Sequence, residues 1–174
     1  MTRLNLGCGL KRIQGAVNVD VAKSVGPDIV CDLNRRPWPF ASDQFSEVFA
    51  YDVIEHCDDA VLTMEEIHRV CAHGAVVHIT VPHFSCANAF TDPTHRRQFG
   101  WGSFHYFTRE HALSFYSSAA FRRRTSQIIF FPTFVNKVIR RIANRYPEEY
   151  ERRWAWLFPA WFLYFELEVI KRHD

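Results

Sequence analysis

Short runs of β-branched and aliphatic residues alternate along this chain with stretches whose apolar side chains recur every three or four positions. Runs of the first kind predict strands over residues 3–6, 17–20, 28–31, 47–51 and 75–81. The last of these carries no Asp, Glu, Lys or Arg, which suits a central parallel strand buried on both faces. The second pattern predicts a helix just before it. Ala60, Met64, Ile67 and Val70 or Cys71 share one side, Asp58 or Asp59 can cap its start, and Gly74 can end it. A further helix is predicted from Thr108, with Glu110 in its first turn and Ala112, Leu113, Tyr116 and Ala119/Ala120 on one side. Residues 126–131 and 162–170 read as a sixth and a seventh strand. The segment between them, 132–160, places Val138, Ile139, Ile142, Ala143 and Tyr146 on one helical face and Lys137, Arg140, Arg141 and Arg145 on the other. Pro147 interrupts that helix, and a second can run from Glu148 to the cluster Trp154, Trp156, Leu157 and Phe158. Alternation of this kind predicts an α/β sheet with helices on both faces, as a single domain over residues 1–174.

The first two strands bracket the most informative stretch. Strand 3–6 runs into Gly7 and Gly9, and the second strand ends on Asp20. A turn without Cβ atoms lets a cofactor lie against the main chain, and a carboxylate at the tip of the next strand can bind the two hydroxyls of a ribose. A dinucleotide site needs a third glycine, a full helix facing the pyrophosphate and an acid about 20 residues on. Asp20 comes too soon after Gly9 for that, so a nucleoside without phosphates, such as S-adenosylmethionine, fits better than a nicotinamide cofactor.

Composition narrows the classes. A chain of 174 residues with 48% hydrophobic and 23% charged residues has the length and make-up of one globular domain with its own core. The formal charge of +2 is too small to point to a nucleic-acid partner, but it is unevenly spread. Residues 121–174 hold 11 Lys/Arg against 6 Asp/Glu, which leaves the first 120 residues net acidic. Cys8, Cys31, Cys57, Cys71 and Cys86 are odd in number and form no Cys-x-x-Cys pair, so neither a disulfide framework nor a zinc knuckle is expected. No signal peptide and no long uncharged apolar run are evident, and the reducing cytoplasm is the expected compartment.

Taken in order, Leu4-Asn5-Leu6-Gly7-Cys8-Gly9, Asn18-Val19-Asp20, Cys31-Asp32-Leu33, Phe49-Ala50-Tyr51-Asp52-Val53-Ile54-Glu55-His56, Glu66-Ile67-His68-Arg69-Val70 and Val81-Pro82 resemble the class I S-adenosylmethionine-dependent methyltransferases. The variety is the small one with a shortened first helix, similar to methyltransferase type 11. The resemblance implies a Rossmann-like, mostly parallel sheet of seven strands whose last strand is antiparallel, with a helical insertion before it. It implies S-adenosylmethionine as cofactor, with the turn Gly7–Cys8–Gly9 under its methionine part and Asp20 on the ribose hydroxyls. Asp32 would accept from the adenine amino group, the Leu33 N–H would support the ring, and Tyr51 and Asp52 would face the sulfonium. Three positions depart from the pattern: Asn5 stands where an acid is common, no third glycine follows Gly9, and Ala119-Ala120-Phe121 replaces a Gly-Phe pair.

Residues 82–107 follow the central strand at the edge where α/β sheets bind ligands, and they form a long connection rich in aromatics and histidines. Three readings stand. His83 or His95 can be a general base on the acceptor, oriented by Asp92. His83, Asp92 and His95, with Cys86 or His105, can hold a metal, although the spacing fits no tight motif and none is assigned. Asp92-Pro93-Thr94-His95 can also be a turn whose side chains bond local backbone. Glu55-His56 is assigned to packing and loop bonding. The segment 132–160 reads as a lid over the substrate cleft, as a basic and aromatic surface for an anionic membrane, or as a subunit contact. The chain as a whole reads as a methyltransferase acting on an O, less readily an N, atom of a small molecule, a sugar or a lipid-linked glycan, at the cytoplasmic face of the membrane if anchored. The catalytic candidates are His83, Asp92 and His95. The alternative is a non-catalytic nucleoside-binding or partner-regulating domain.

Overall fold

The computed structural model describes residues 2–171. Seven strands form one sheet: β1 (Thr2–Leu6), β2 (Ala16–Asp20), β3 (Ile29–Val30), β4 (Phe45–Tyr51), β5 (Cys71–Pro82), β6 (Phe121–Ile129) and β7 (Phe162–Val169). Their spatial order is β3-β2-β1-β4-β5-β7-β6. The first five strands pair in parallel, and β7 is antiparallel to both β5 and β6. The order reverses between β1 and β4, so a crevice opens beyond the carboxyl ends of those two strands.

The register explains where the core sits. Leu4, Val48, Val77 and Leu167 are aligned across four strands, and Leu6, Ala50, Ile79 and Phe165 form the next row. All eight are essentially inaccessible to solvent. The intervening rows on the opposite face, Asn5–Phe49–His78–Glu166 and Tyr51–Thr80–Tyr164, are polar and aromatic, and apart from Asn5 they are only half-buried. There Phe49 stacks on His78, whose two ring nitrogens meet Tyr164 Oη at 2.9 Å and Glu47 Oε1 at 3.2 Å. The two faces are therefore covered unequally.

Helix α1 (Ala60–Val70) buries Met64, Ile67 and Val70, and the Asp59 carboxylate caps it by accepting from Leu62 N–H at 3.0 Å. It does not end on Gly74. The chain passes directly from Val70 into β5, and Gly74, at φ +77°, sits where the β4–β5 register jumps. The short helix α2 (Asn88–Thr91) lies in the long connection after β5.

The helix expected from Thr108 does not form. Thr108 N–H and hydroxyl both bond back to the His105 carbonyl, the 3₁₀ segment Ser114–Tyr116 is the one helical turn between it and β6, and Leu113, Phe115 and Tyr116 are exposed. Helical spacing was present there, but no part of the sheet receives that face. Strand β6 begins at Phe121, five residues before the predicted start, because Arg122 and Arg124 pair across to Glu168 on β7. Helices α3 (Phe134–Arg145) and α4 (Pro147–Arg153) occupy the predicted insertion, with Pro147 opening α4 rather than merely ending α3.

The first helix of a doubly wound sheet is reduced to the loop between β1 and β2. Two buried amides hold this loop. Asn5 Nδ2 donates to Asn18 Oδ1 at 2.9 Å and to the Lys11 carbonyl at 3.0 Å, while Asn18 Oδ1 accepts from Ile13 N–H at 2.7 Å. Asparagine at position 5 thus serves the shortened loop, whose backbone groups would otherwise be buried without partners.

Candidate active site

At the switch point, Gly7 leaves β1 at φ +60°. A Cβ on it would lie 2.4 Å from Val53 Cγ2, so the turn closes only with glycine there. Gly9 also has positive φ, but nothing lies within 4 Å of where its Cβ would stand, and the bare backbone faces open space. Asp20 links this turn to the end of β2. Its Oδ2 accepts from Gly9 N–H and its Oδ1 from Ala22 N–H, each at 2.8 Å. A carboxylate offers about four lone-pair sites, so both oxygens retain capacity for hydroxyl donors.

A cleft of about 350 Å³ opens here, lined by Gly7, Asp20, Val21, Cys31 to Asn34, Asp52, Val53, His56 and Cys57. Asp32 and Leu33 are held at its wall by Trp38, which is buried; its indole N–H donates to the Leu33 carbonyl at 3.2 Å and its backbone N–H to Glu66 at 2.7 Å. Asp52, at φ +55°, is turned back onto the sheet by the Thr80 hydroxyl, which donates to its Oδ1 at 2.7 Å. Three carboxylates around one cleft repel phosphates and suit a ligand with hydroxyl and amine donors and a positive centre. This agrees with an adenosyl sulfonium and not with a dinucleotide.

Not every predicted site residue reaches the cleft. Cys8 is buried behind the turn, with its N–H donated to the Val19 carbonyl. Tyr51 lies on the half-open face of the sheet, its ring 5.7 Å from that of Phe49, and is absent from the cleft wall. The reason is strand alternation: Tyr51 follows Phe49 on one face, while Ala50 takes the other.

His83 and His95 are separated rather than brought together. His83 is fully buried, with Nδ1 2.8 Å from Ser85 Oγ and Nε2 3.1 Å from Glu151 Oε1 on α4. It ties the end of β5 to the insertion and does not line the cleft, so the structure replaces its reading as a base with a structural one. His95 instead packs its ring against His56 at 4.7 Å, with Asp92 Oδ2 3.9 Å from its Nε2. The contact that brings it there is Arg96 N–H donating to the Glu55 carbonyl at 2.8 Å.

Glu55 and His56, assigned from sequence to packing, therefore join His95 and Asp92 at the rim. Burial pushes the Glu55 carboxyl up to about 8, with the charges of Asp52 and Asp92 adding to the effect. Burial, with His95 alongside, lowers the His56 imidazole. The sequence signal for this group was the adjacency of an acid and a histidine just past a strand tip, a signal too common to single out alone. The insertion 132–160 supplies none of the residues lining the cleft. Among the described residues no helix is long and apolar enough to cross a membrane.

Comparison with known proteins agrees with this geometry. Residues 14–79 match the methyltransferase-domain family. No match to a curated protein sequence was found. Among solved structures, the chain is similar to an S-adenosylmethionine-dependent methyltransferase from Mesorhizobium loti at 16% identity and a TM-score of 0.58, covering 96% of this chain and 90% of that one. A methyltransferase of the same kind from Archaeoglobus fulgidus gives 15% identity and a TM-score of 0.65 over 96% of this chain and 86% of that one. Phosphoethanolamine N-methyltransferase 2 of Haemonchus contortus, in complex with S-adenosyl-L-methionine, gives 13% and 0.60 over 98% of this chain and 49% of that one. With the glycine turn, the acid-lined cleft and the strand order in place, the chain has the fold of the S-adenosylmethionine-dependent methyltransferases, and its residues 14–79 match the methyltransferase-domain family.

Proposed function

We propose that this chain is a class I S-adenosylmethionine-dependent methyltransferase that methylates an oxygen, and less readily a nitrogen, of a small organic acceptor such as a sugar or a lipid-linked glycan. The cofactor supplies an electrophilic methyl group on a sulfonium. The chain's part is to hold acceptor and cofactor in line and to ease the loss of the acceptor's proton. In this reading Asp20 holds the ribose, Asp32 and Leu33 hold the adenine, and the backbone at Gly7 and Gly9 lies along the methionine part. The observation that carries the choice of acceptor is His56 on the cleft wall with His95 and Asp92 behind it, a proton-handling group that a carbon acceptor with no acidic proton would not need.

The insertion favours a lipid-linked acceptor. Phe134, Val138, Ile142 and Tyr146 recur every four residues along α3 and are all more than half exposed, while Ile139 and Ala143 turn inward. Lys137, Arg141 and Arg145 flank the exposed stripe, and Trp154, Trp156 and Leu157 extend it beyond α4. Between the two helices runs an apolar groove of about 490 Å³. Apolar side chains bordered by cations suit an anionic bilayer surface, where a lipid-borne sugar would be presented.

The test is calorimetry with the adenosyl cofactor, followed by mass spectrometry of candidate sugars and glycolipids for products one methylene heavier. His95→Asn is expected to cut turnover by ~10²–10⁴ with cofactor affinity nearly unchanged. Unchanged turnover in that variant would remove the proton-handling role.

A further inference from the structure

At the wall of the cleft, Glu55, His56 and His95 each offer one ligand atom, and these atoms all lie within 4.8 Å of one another. Glu55 is 1% exposed, and among the described residues neither of its carboxylate oxygens has a hydrogen-bond partner. His95 Nδ1 is also buried without one. A packing cluster would satisfy these atoms, because a buried carboxylate facing no donor is costly. The arginines that follow His95 do not answer it. Arg96 turns to the Asp58 carboxylate at 2.8 Å, and Arg97 donates to the Asp58 carbonyl.

The polar neighbours of the two imidazoles favour one tautomer of each. Thr94 Oγ1 donates its proton to Asp92 Oδ1 at 2.6 Å, so toward His56 Nδ1, 2.8 Å away, it acts as acceptor. His56 therefore carries its proton on Nδ1 and keeps a lone pair on Nε2. Asp92 Oδ2, 3.9 Å from His95 Nε2, favours the proton there and leaves the lone pair on the unpartnered Nδ1. One carboxylate thus orients both rings as neutral donors, the arrangement that outer carboxylates impose on metal-bound histidines.

We infer that Glu55, His56 and His95 form a binding site for a divalent transition-metal cation at the rim of the cofactor cleft. Two imidazole nitrogens and one carboxylate suit zinc, iron(II) or manganese better than magnesium or calcium, which prefer all-oxygen shells. Ligands about 2.0–2.2 Å from an ion at tetrahedral angles lie about 3.3–3.6 Å apart, so the group closes by up to about 1.5 Å on binding. Three protein ligands leave a position for a substrate atom, as in catalytic zinc sites. The inference deepens the proposed function, and it rests on that reading only for what the open position takes: an acceptor hydroxyl, whose proton coordination makes easier to lose.

The experiment titrates the chelator-treated full-length chain with Zn²⁺ by calorimetry and with Co²⁺ by visible absorption. One cation per chain is expected. Asp92→Asn, which touches only the outer hydrogen bonds, should weaken binding by about 10–100-fold, and His95→Asn should weaken it further. Glu55→Gln should do the same; should it not fold by circular dichroism, His95→Asn decides. Sub-stoichiometric uptake by the wild type, or equal affinity in His95→Asn, overturns the site. If the chelator-treated enzyme methylates a hydroxyl at full rate, the cation falls and the acceptor reading stands. If one cation binds as expected but no hydroxyl is modified, the site stands and the acceptor reading falls.

Discussion

In the proposed reading Asp20 concentrates the chemistry of the nucleoside end in one side chain. It accepts one N–H from the glycine turn and one from its own strand's exit, and both bonds hold its oxygens toward the cleft. Asp20→Ala should weaken cofactor binding by roughly 1.5–3 kcal/mol, about ten- to a hundredfold by calorimetry, since the ribose loses a charged acceptor and the turn loses a tie. His83 gives the opposite expectation. Its removal takes one partner each from Ser85 and Glu151 and leaves a cavity beside Phe84 and Tyr150, so His83→Ala should destabilise the fold by roughly 1–3 kcal/mol. For a chain of this size that lowers Tm by about 2–4 °C per kcal/mol, with cofactor affinity unchanged. A loss of turnover without a loss of Tm would return His83 to the reacting atoms.

Among the elements, α3 and α4 show a division that the sequence alone did not draw. Periodicity placed Val138, Ile139, Ile142, Ala143 and Tyr146 on one face, and the structure splits that face. Ile139 and Ala143 pack inward, and Asn144 bonds both the N–H and the C=O of Ile128 at 2.8 Å, anchoring α3 to the edge strand β6. Val138, Ile142 and Tyr146 remain outside with Phe134. The intact protein is therefore expected to sediment with anionic vesicles and to release at high salt. A Phe134→Glu, Trp156→Glu double variant should stay in the supernatant while binding cofactor as before. Equal sedimentation with neutral and anionic vesicles, or none at all, would leave the two helices as a cover for the loop that Glu151 grips.

At the scale of the whole molecule, acid stability should carry the mark of His105. Its imidazole is held against Trp101 and Phe165, and Arg123 Nη1 lies 2.7 Å from its Nε2. Burial, and then the Arg123 charge, lower it from 6.5 to about 4. In the unfolded chain it takes up a proton near 6.5, whereas the folded protein resists doing so until about 4. The unfolded state thus binds more protons across that window, and stability falls as pH drops through it. Urea midpoints followed from neutral pH down to about 4 should fall less steeply for His105→Gln than for the wild type. Parallel slopes would show that other groups carry the acid limb.

The sequence by itself determined the order of all seven strands along the chain, the helix capped by Asp59, the paired helices around Pro147 and the glycine turn with its acid at the tip of β2. Each of these rests on short-range signals: alternation, capping, a glycine turn, an acid a few residues past a strand. Three matters were decided only by tertiary structure. The stretch after Thr108 has helical spacing but no partner surface, and an amphipathic pattern becomes a helix only where something buries its face. Tyr51 and His83 are near the cleft in sequence but point elsewhere, because a strand sends successive side chains to opposite faces and the α4 carboxylate of Glu151 holds His83 in the core. His95 lies far along the chain from Glu55 and His56 and meets them because Arg96 N–H docks on the Glu55 carbonyl. That contact depends on how a long loop folds back, and no local pattern of residues encodes it.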